Sequence, residues 1–168
     1  GLKTGSLFSC PYSSQKMIIK EIREFNQKLT QKGIRIIPVR ISDKRMLVYV
    51  YRPEKLKEDF SDEKTQIILK CKGYDCTNLS QCICRLIQKL QSDPDFPHEI
   101  GLFLGYPAED VKGFIENKAA CSKCSGCWKV YGDEQAARIL FKKYKKCTEI
   151  YCRRWKSGVA VEQLTITI

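Results

Sequence analysis

Three cysteines stand at i, i+3 and i+6 in the stretch "ENKAACSKCSGCWKVYGDE", residues 116 to 134. Thiolates hold zinc or an iron–sulfur cluster when three or four of them converge at about 2.3 Å from the metal. The C-x2-C-x2-C spacing lets Cys121, Cys124 and Cys127 point into one small volume, with Ser and Gly between them for a compact turn. A fourth ligand must come from elsewhere, and Cys147, Cys152 and His98 are the candidates. Helix geometry restricts the first two. They lie five residues apart on a helical stretch, about 140° around it and roughly 70° to either side of its apolar stripe. At most one of them can face a given ion. The spacing leaves the cofactor unassigned, with zinc and an iron–sulfur cluster as the candidates. The plainer reading is packing, since free cysteine is among the most buried residue types.

The single histidine, His98, precedes Glu99 in "FPHEIGLFLGYPAED". With Tyr106 and Asp110 it offers an imidazole, a phenol and carboxylates, which can do acid–base work when a cleft brings them within hydrogen-bond reach. The His-Glu pair lacks the second histidine of a zinc-hydrolase motif, and Gly101 and Gly105 lack phosphate-loop spacing. A histidine that merely orients its loop is the competing account. Together with Trp128, the residues His98, Glu99, Tyr106 and Asp110 form the candidate pocket, its walls being the turn 98 to 106 and the loop 121 to 128.

The elements that must position these groups are legible from periodicity. Residues 13 to 32 predict a helix with Ile18, Ile22, Phe25 and Leu29 on one stripe, Ser13 or Ser14 as cap and Gly33 at its end. Two strands, 34 to 42 and 45 to 52, suit a hairpin, with Pro38 marking an edge strand. A polar helical stretch, 53 to 73, leads to a second amphipathic helix over 77 to 92, on which Cys82 lies at the edge of the apolar stripe and Cys84 on the polar side. "SDPDFPHE" reads as a loop and "IGLFLGYP" as a short buried strand before the helix "AEDVKGFIENK". The strand "WKVY" and a long helix capped by Asp133 follow the cysteines. The apolar stripe of that helix runs through Ala137, Leu140, Phe141, Tyr144, Tyr151 and Trp155.

This order predicts one α+β domain over residues 1 to 168, with helices packed on a small mixed, mostly antiparallel sheet. A strand–helix–strand unit from Ile100 to Tyr131 would set its two strands parallel by a right-handed crossover. On that topology His98 lies near the cysteine loop, while Tyr106 and Asp110 lie on the far edge near Asp133.

Thirty Lys and Arg against 19 Asp and Glu give a net charge of +11, which favours anionic partners without choosing among them. The basic run 142 to 156 interleaves cations with aromatics, as single-strand nucleic-acid binders do. Here the phase puts the aromatics on the buried side, so a solvated basic face accounts for it and any nucleic-acid binding would be non-specific. No run approaches the roughly 18 apolar residues of a membrane helix, so membrane insertion is not expected. Of the ten cysteines several lie inside periodic helices, beside large aliphatic residues, which fits reduced thiols and a cytoplasmic location better than a disulfide framework.

The blocks "FPHEIGLFLGYPAEDVKGFIEN", "WKVYGDEQAA" and "LFKKYKKCTEIYCRRWKSG" closely resemble domain of unknown function family 3793, with a resemblance running from Leu7 to Leu164. That resemblance implies a small bacterial protein of the type found in anaerobic Gram-positive bacteria, a cytoplasmic setting, and no assigned reaction. It also implies a native N-terminus longer than this one, carrying further His and Cys. The family pattern at the cysteine loop is a cysteine pair, then Gly, any residue and Trp, matched here by Cys121, Cys124, Gly126 and Trp128. Cys127 falls outside that pattern.

The functional expectation is a binding module whose thiol-rich loop holds a metal, a cluster or a redox partner. An enzyme using His98 and Glu99 on a small ligand is the alternative, and a non-specific nucleic-acid binder the second. The helical phase of 77 to 92 has a direct consequence. In the native protein Cys84 should be alkylated faster than Cys82 or Cys147, because access controls thiol labelling. Mass-spectrometric footprinting with the order reversed would show that the phase is wrong.

Overall fold

Every position of β3 (Arg45–Tyr51) after the arginine is apolar, which is the pattern of a strand buried on both faces. The computed structural model, which describes residues 1–92 and 95–166, places it accordingly. It is the middle strand of a three-stranded antiparallel sheet, between β1 (Gly5–Pro11) and β2 (Arg35–Ile41). Ser42 closes the β2–β3 hairpin by donating its N–H to the Arg45 carbonyl at 2.9 Å. Pro38 sits on the edge strand, where its missing N–H costs no ladder bond. The register shifts between Pro38 and Arg40, and the residue between them, Val39, is fully buried. β1 has no counterpart among the elements legible in the sequence.

Period-two alternation sends the two faces of β3 to different cores. Met46 and Val48 pack with Ile22 of α1 (Gln15–Leu29), a helix capped by Ser14 as its sequence requires. Tyr49 faces the larger core, with Leu56, Leu69, Leu86 and Phe103. That core is built by α2 (Pro53–Ser61), α3 (Glu63–Cys71), α4 (Leu79–Ser92), α5 (Ile100–Phe103) and α6 (Ala108–Glu116). The polar helical stretch is two helices because Asp62 leaves the helical region at ψ 129° and uses its carboxylate to cap α3 through the Thr65 N–H and hydroxyl. On α4, Cys82 is fully buried and Cys84 exposed, as the phase requires.

The segment "IGLFLGYP" departs from its expected form. Ile100–Phe103 is one turn of helix, not a strand, and all four of its residues are buried. A short apolar run carries no periodicity that separates a strand from a buried helical turn, so its neighbours decide. The strand–helix–strand crossover is therefore not formed. β5 (Lys129–Val130) pairs antiparallel with β4 (Cys124–Ser125) in a minimal hairpin, so both sheets are antiparallel rather than mixed. The hairpin leads to α7 (Glu134–Lys156), capped by Asp133 and followed by Gly158 in the left-handed region, and then α8 (Val161–Leu164). The loop expected before His98 includes residues 93 and 94, which lie outside the described residues. Among the described residues no helix is long and apolar enough to cross a membrane.

Gly5 shows how tightly β1 is fitted. A Cβ there would lie 2.6 Å from the Phe103 carbonyl oxygen and 2.7 Å from the Tyr49 ring. Gly5→Ala should therefore destabilise the protein by about 2–3 kcal/mol through overpacking against backbone. Gly73 has φ +78° and nothing within 4 Å, so Gly73→Ala should cost only the left-handed strain, about 1 kcal/mol. Urea unfolding that ranks the two the other way would remove β1 from this position.

Candidate functional site

The site is organised by one carboxylate in the first turn of α6. Asp110 is 3% exposed, and both of its oxygens are engaged. Oδ2 accepts from the Trp128 indole N–H at 2.7 Å. Oδ1 accepts from the backbone N–H groups of Tyr131 and Gly132 at 2.7 and 2.8 Å. Three donors from the β5 side thus converge on α6. Glycines let the pieces close. A Cβ at Gly113 would strike the Tyr131 ring, one at Gly132 the Glu109 side chain, and one at Gly126 the Phe141 ring.

Trp128 becomes the hub of a second small core with Val130, Ala137 and Tyr144. Its ring stacks on Tyr106 at 4.6 Å and meets Phe141 edge-on at 4.6 Å. Such aromatic pairs add about 0.5–1.5 kcal/mol each beyond their buried area. The chain entering the hairpin is held in costly conformations, with Lys118, Ala119 and Cys121 all at positive φ. Two lysines brace it. Lys129 donates to the Ala119 carbonyl and Lys123 to the Gly132 carbonyl.

Between α5, α6 and the hairpin lies a cleft of about 360 Å³. His98, Ile100 and Tyr106 line it from one side, Ser125, Cys127 and Lys129 from the other, with Phe96 and Phe114 completing an aromatic wall. His98 meets Phe114 edge-on at 5.0 Å. Tyr106 and Asp110, expected at the far edge from His98, line this same cleft, together with Trp128. The reason is the helical turn: the Tyr106 N–H returns to the Gly101 carbonyl, folding the segment back where a strand would have carried it away. Phe96, Phe114 and Lys129 were not singled out from the sequence. Phe114 stands four residues after Asp110 on α6, so the shared helix face was the available signal.

Glu99 is not part of the cleft. It is 4% exposed and accepts from Lys89 Nζ at 2.7 Å and from the Tyr74 hydroxyl at 3.1 Å. Lys89 also stands 4.6 Å over the Tyr74 ring. Burial pushes the Glu99 carboxyl up, but the Lys89 bond, a backbone N–H and the Tyr74 hydroxyl together outweigh it and leave its pKa below the usual value.

The cysteines scatter. Cys121 and Cys127 are exposed and Cys124 half-buried against the Trp128 cluster. Cys147 lines a different cleft, and Cys152 is exposed. Among the described residues no three or more His, Cys, Asp and Glu side chains gather as a metal-holding group. The α7 stripe also needs one correction. Tyr144 is buried and Tyr151 half-buried, but Trp155 is 63% exposed. The phase is right, yet the last turns of α7 run past the core and leave the indole uncovered.

A family model described as "Protein of unknown function (DUF3793)" matches residues 1–165. The chain belongs to this family. Comparison with curated proteins and with solved structures gave no match. What this family member does must therefore be argued from its own site.

The Lys89–Glu99 pair gives that argument a checkable boundary. Because the folded pKa of Glu99 is depressed, its contribution is fully present above the unfolded value near 4.5 and is lost as pH falls through the folded value. Glu99→Gln leaves Lys89 buried without its partner and should cost about 3 kcal/mol at pH 7. The deficit should shrink as pH drops below 4.5. Denaturation curves with a pH-independent deficit would show that the pair is not ionised as described.

Proposed function

We propose that the protein is a small-ligand binding module, with its ligand seated in the cleft beneath the thiol-rich loop. The observation that carries this reading is the convergence of His98, Tyr106, Asp110 and Trp128, from separate segments, on one aromatic-walled cleft. Its volume of about 360 Å³ falls within the range of roughly 300–1,000 Å³ typical of ligand sites. The chemistry of the walls favours a planar, largely apolar ligand. The Trp128 N–H and both Asp110 oxygens are already bonded, so polar recognition falls to His98, to Lys129, to the Cys127 thiol and to the Tyr106 and Ser125 hydroxyls. The Lys129 ammonium also donates to Ala119 and can share its remaining hydrogens with a ligand.

This reading draws more support than the others weighed. A metal or cluster held by Cys121, Cys124 and Cys127 would need a convergence that the described residues lack. An acid–base pair of His98 with Glu99 would need a carboxylate that is instead committed to Lys89 and Tyr74. In the basic run of α7 the exposed aromatic is Trp155, beside Arg153, Arg154 and Lys156, but Tyr144 is covered by Lys3 at 4.9 Å, so that run presents no row of stacking side chains for nucleic acid.

The test uses 8-anilinonaphthalene-1-sulfonate, a planar aromatic anion, followed through Trp128 emission in a Trp155→Phe background. Saturable binding of one equivalent is expected, weakened about tenfold or more when Phe114→Ala removes part of the wall. Absence of saturation, or an affinity unchanged by Phe114→Ala in a cooperatively folding variant, would overturn the proposal.

A further inference from the structure

Among the described residues Arg52 is the one buried arginine, 8% exposed at the end of β3. Its guanidinium donates to two carbonyls, those of Lys32 at 3.1 Å and Ile166 at 2.8 Å. It takes part in none of the ion pairs formed among the described residues. Taking a charge out of water without an opposite charge is costly, and carbonyl dipoles offset that cost only in part.

Three lysines around it repeat the pattern. Lys55 donates to the carbonyls of Gly1 and Leu2. Lys32 donates to those of Glu162 and Thr165. Lys3 stands over the Tyr144 ring. The acids of this region are already engaged, Glu162 with Lys28 at 2.6 Å and Asp59 with the Thr4 hydroxyl. Among the described residues Arg52 and Lys3 thus have only carbonyls and a ring as partners, whereas Lys32 and Lys55 also feel the Glu162 and Asp59 carboxylates.

Beside them is a cleft of about 470 Å³, distinct in its lining from the one under the cysteine loop. Arg52, Lys3 and Tyr151 supply polar surface, and Leu2, Val161 and Leu164 apolar surface. A guanidinium is a planar fork that matches the two oxygens of a carboxylate or phosphate. We infer that this second cleft binds a small amphipathic anion, with its carboxylate or phosphate head group on Arg52 and Lys3 and its apolar body against Leu2, Val161 and Leu164.

Isothermal titration of the whole chain with octanoate, octyl phosphate and octanol tests this. At least one of the two anions should bind at one equivalent, about tenfold or more tighter than neutral octanol. Whichever anion prevails identifies the head group as carboxylate or phosphate. Binding should fall severalfold in Lys3→Ala, whose side chain is exposed, and be lost in Arg52→Met. Should Arg52→Met fail to fold, the Lys3→Ala variant and the comparison with octanol decide alone. Phe114→Ala should leave this binding unchanged, which separates it from the cleft under the cysteine loop. No heat with either anion, octanol binding as well as both, or full affinity in Lys3→Ala would each overturn the inference.

Discussion

A buried carboxylate that accepts three hydrogen bonds holds the candidate site together. Asp110 joins α6 to a hairpin whose strands are only two residues long. Such a hairpin has too few ladder bonds to stand by itself in water. The three donors, one from an indole and two from consecutive backbone amides, fix both its position and its rotation. Charge-assisted bonds of this kind contribute roughly 1.5–3 kcal/mol each in mutational series. Once Trp128 is set by its N–H, its ring must lie between Tyr106 and Phe141, and the aromatic wall of the cleft follows.

The same residue separates structural from recognition groups. A sequence view ranks Asp110, Glu99 and His98 together as titratable candidates. In the fold, Asp110 and Glu99 are both saturated with internal donors, one supporting the hairpin and the other neutralising Lys89. His98 is the exposed member and meets Phe114 by its edge. A buried carboxylate that already accepts two or three internal donors has little left to offer a ligand, whereas a lysine or arginine keeps further N–H groups.

Charge is distributed by a comparable logic. A net +11 chain leaves many cations without acidic partners, and most of them are simply solvated. Around Arg52 they are instead turned inward onto carbonyl oxygens. That arrangement ties the N-terminal segment and α8 to the end of β3 and the residues around it.

The sequence by itself determined the local elements, because their signals lie within a few residues of one another. Ser14 and Asp133 cap their helices, Pro38 lies on an edge, and Cys82 and Cys84 fall on opposite sides of α4. The α+β class followed from the order of those elements. Tertiary structure decided what depends on distant partners. Ile100–Phe103 is helical because it fills the core against Tyr49, whose hydroxyl donates to the Phe103 carbonyl at 2.5 Å. β1 escaped notice because its short run gains its order from pairing with β3, some forty residues later in the chain. Trp155 keeps its helical phase yet stays exposed, since periodicity gives the direction of a side chain and not where the core ends. Glu99 turned from the cleft because Lys89 and Tyr74, set by other helices, offered it better bonds than solvent did.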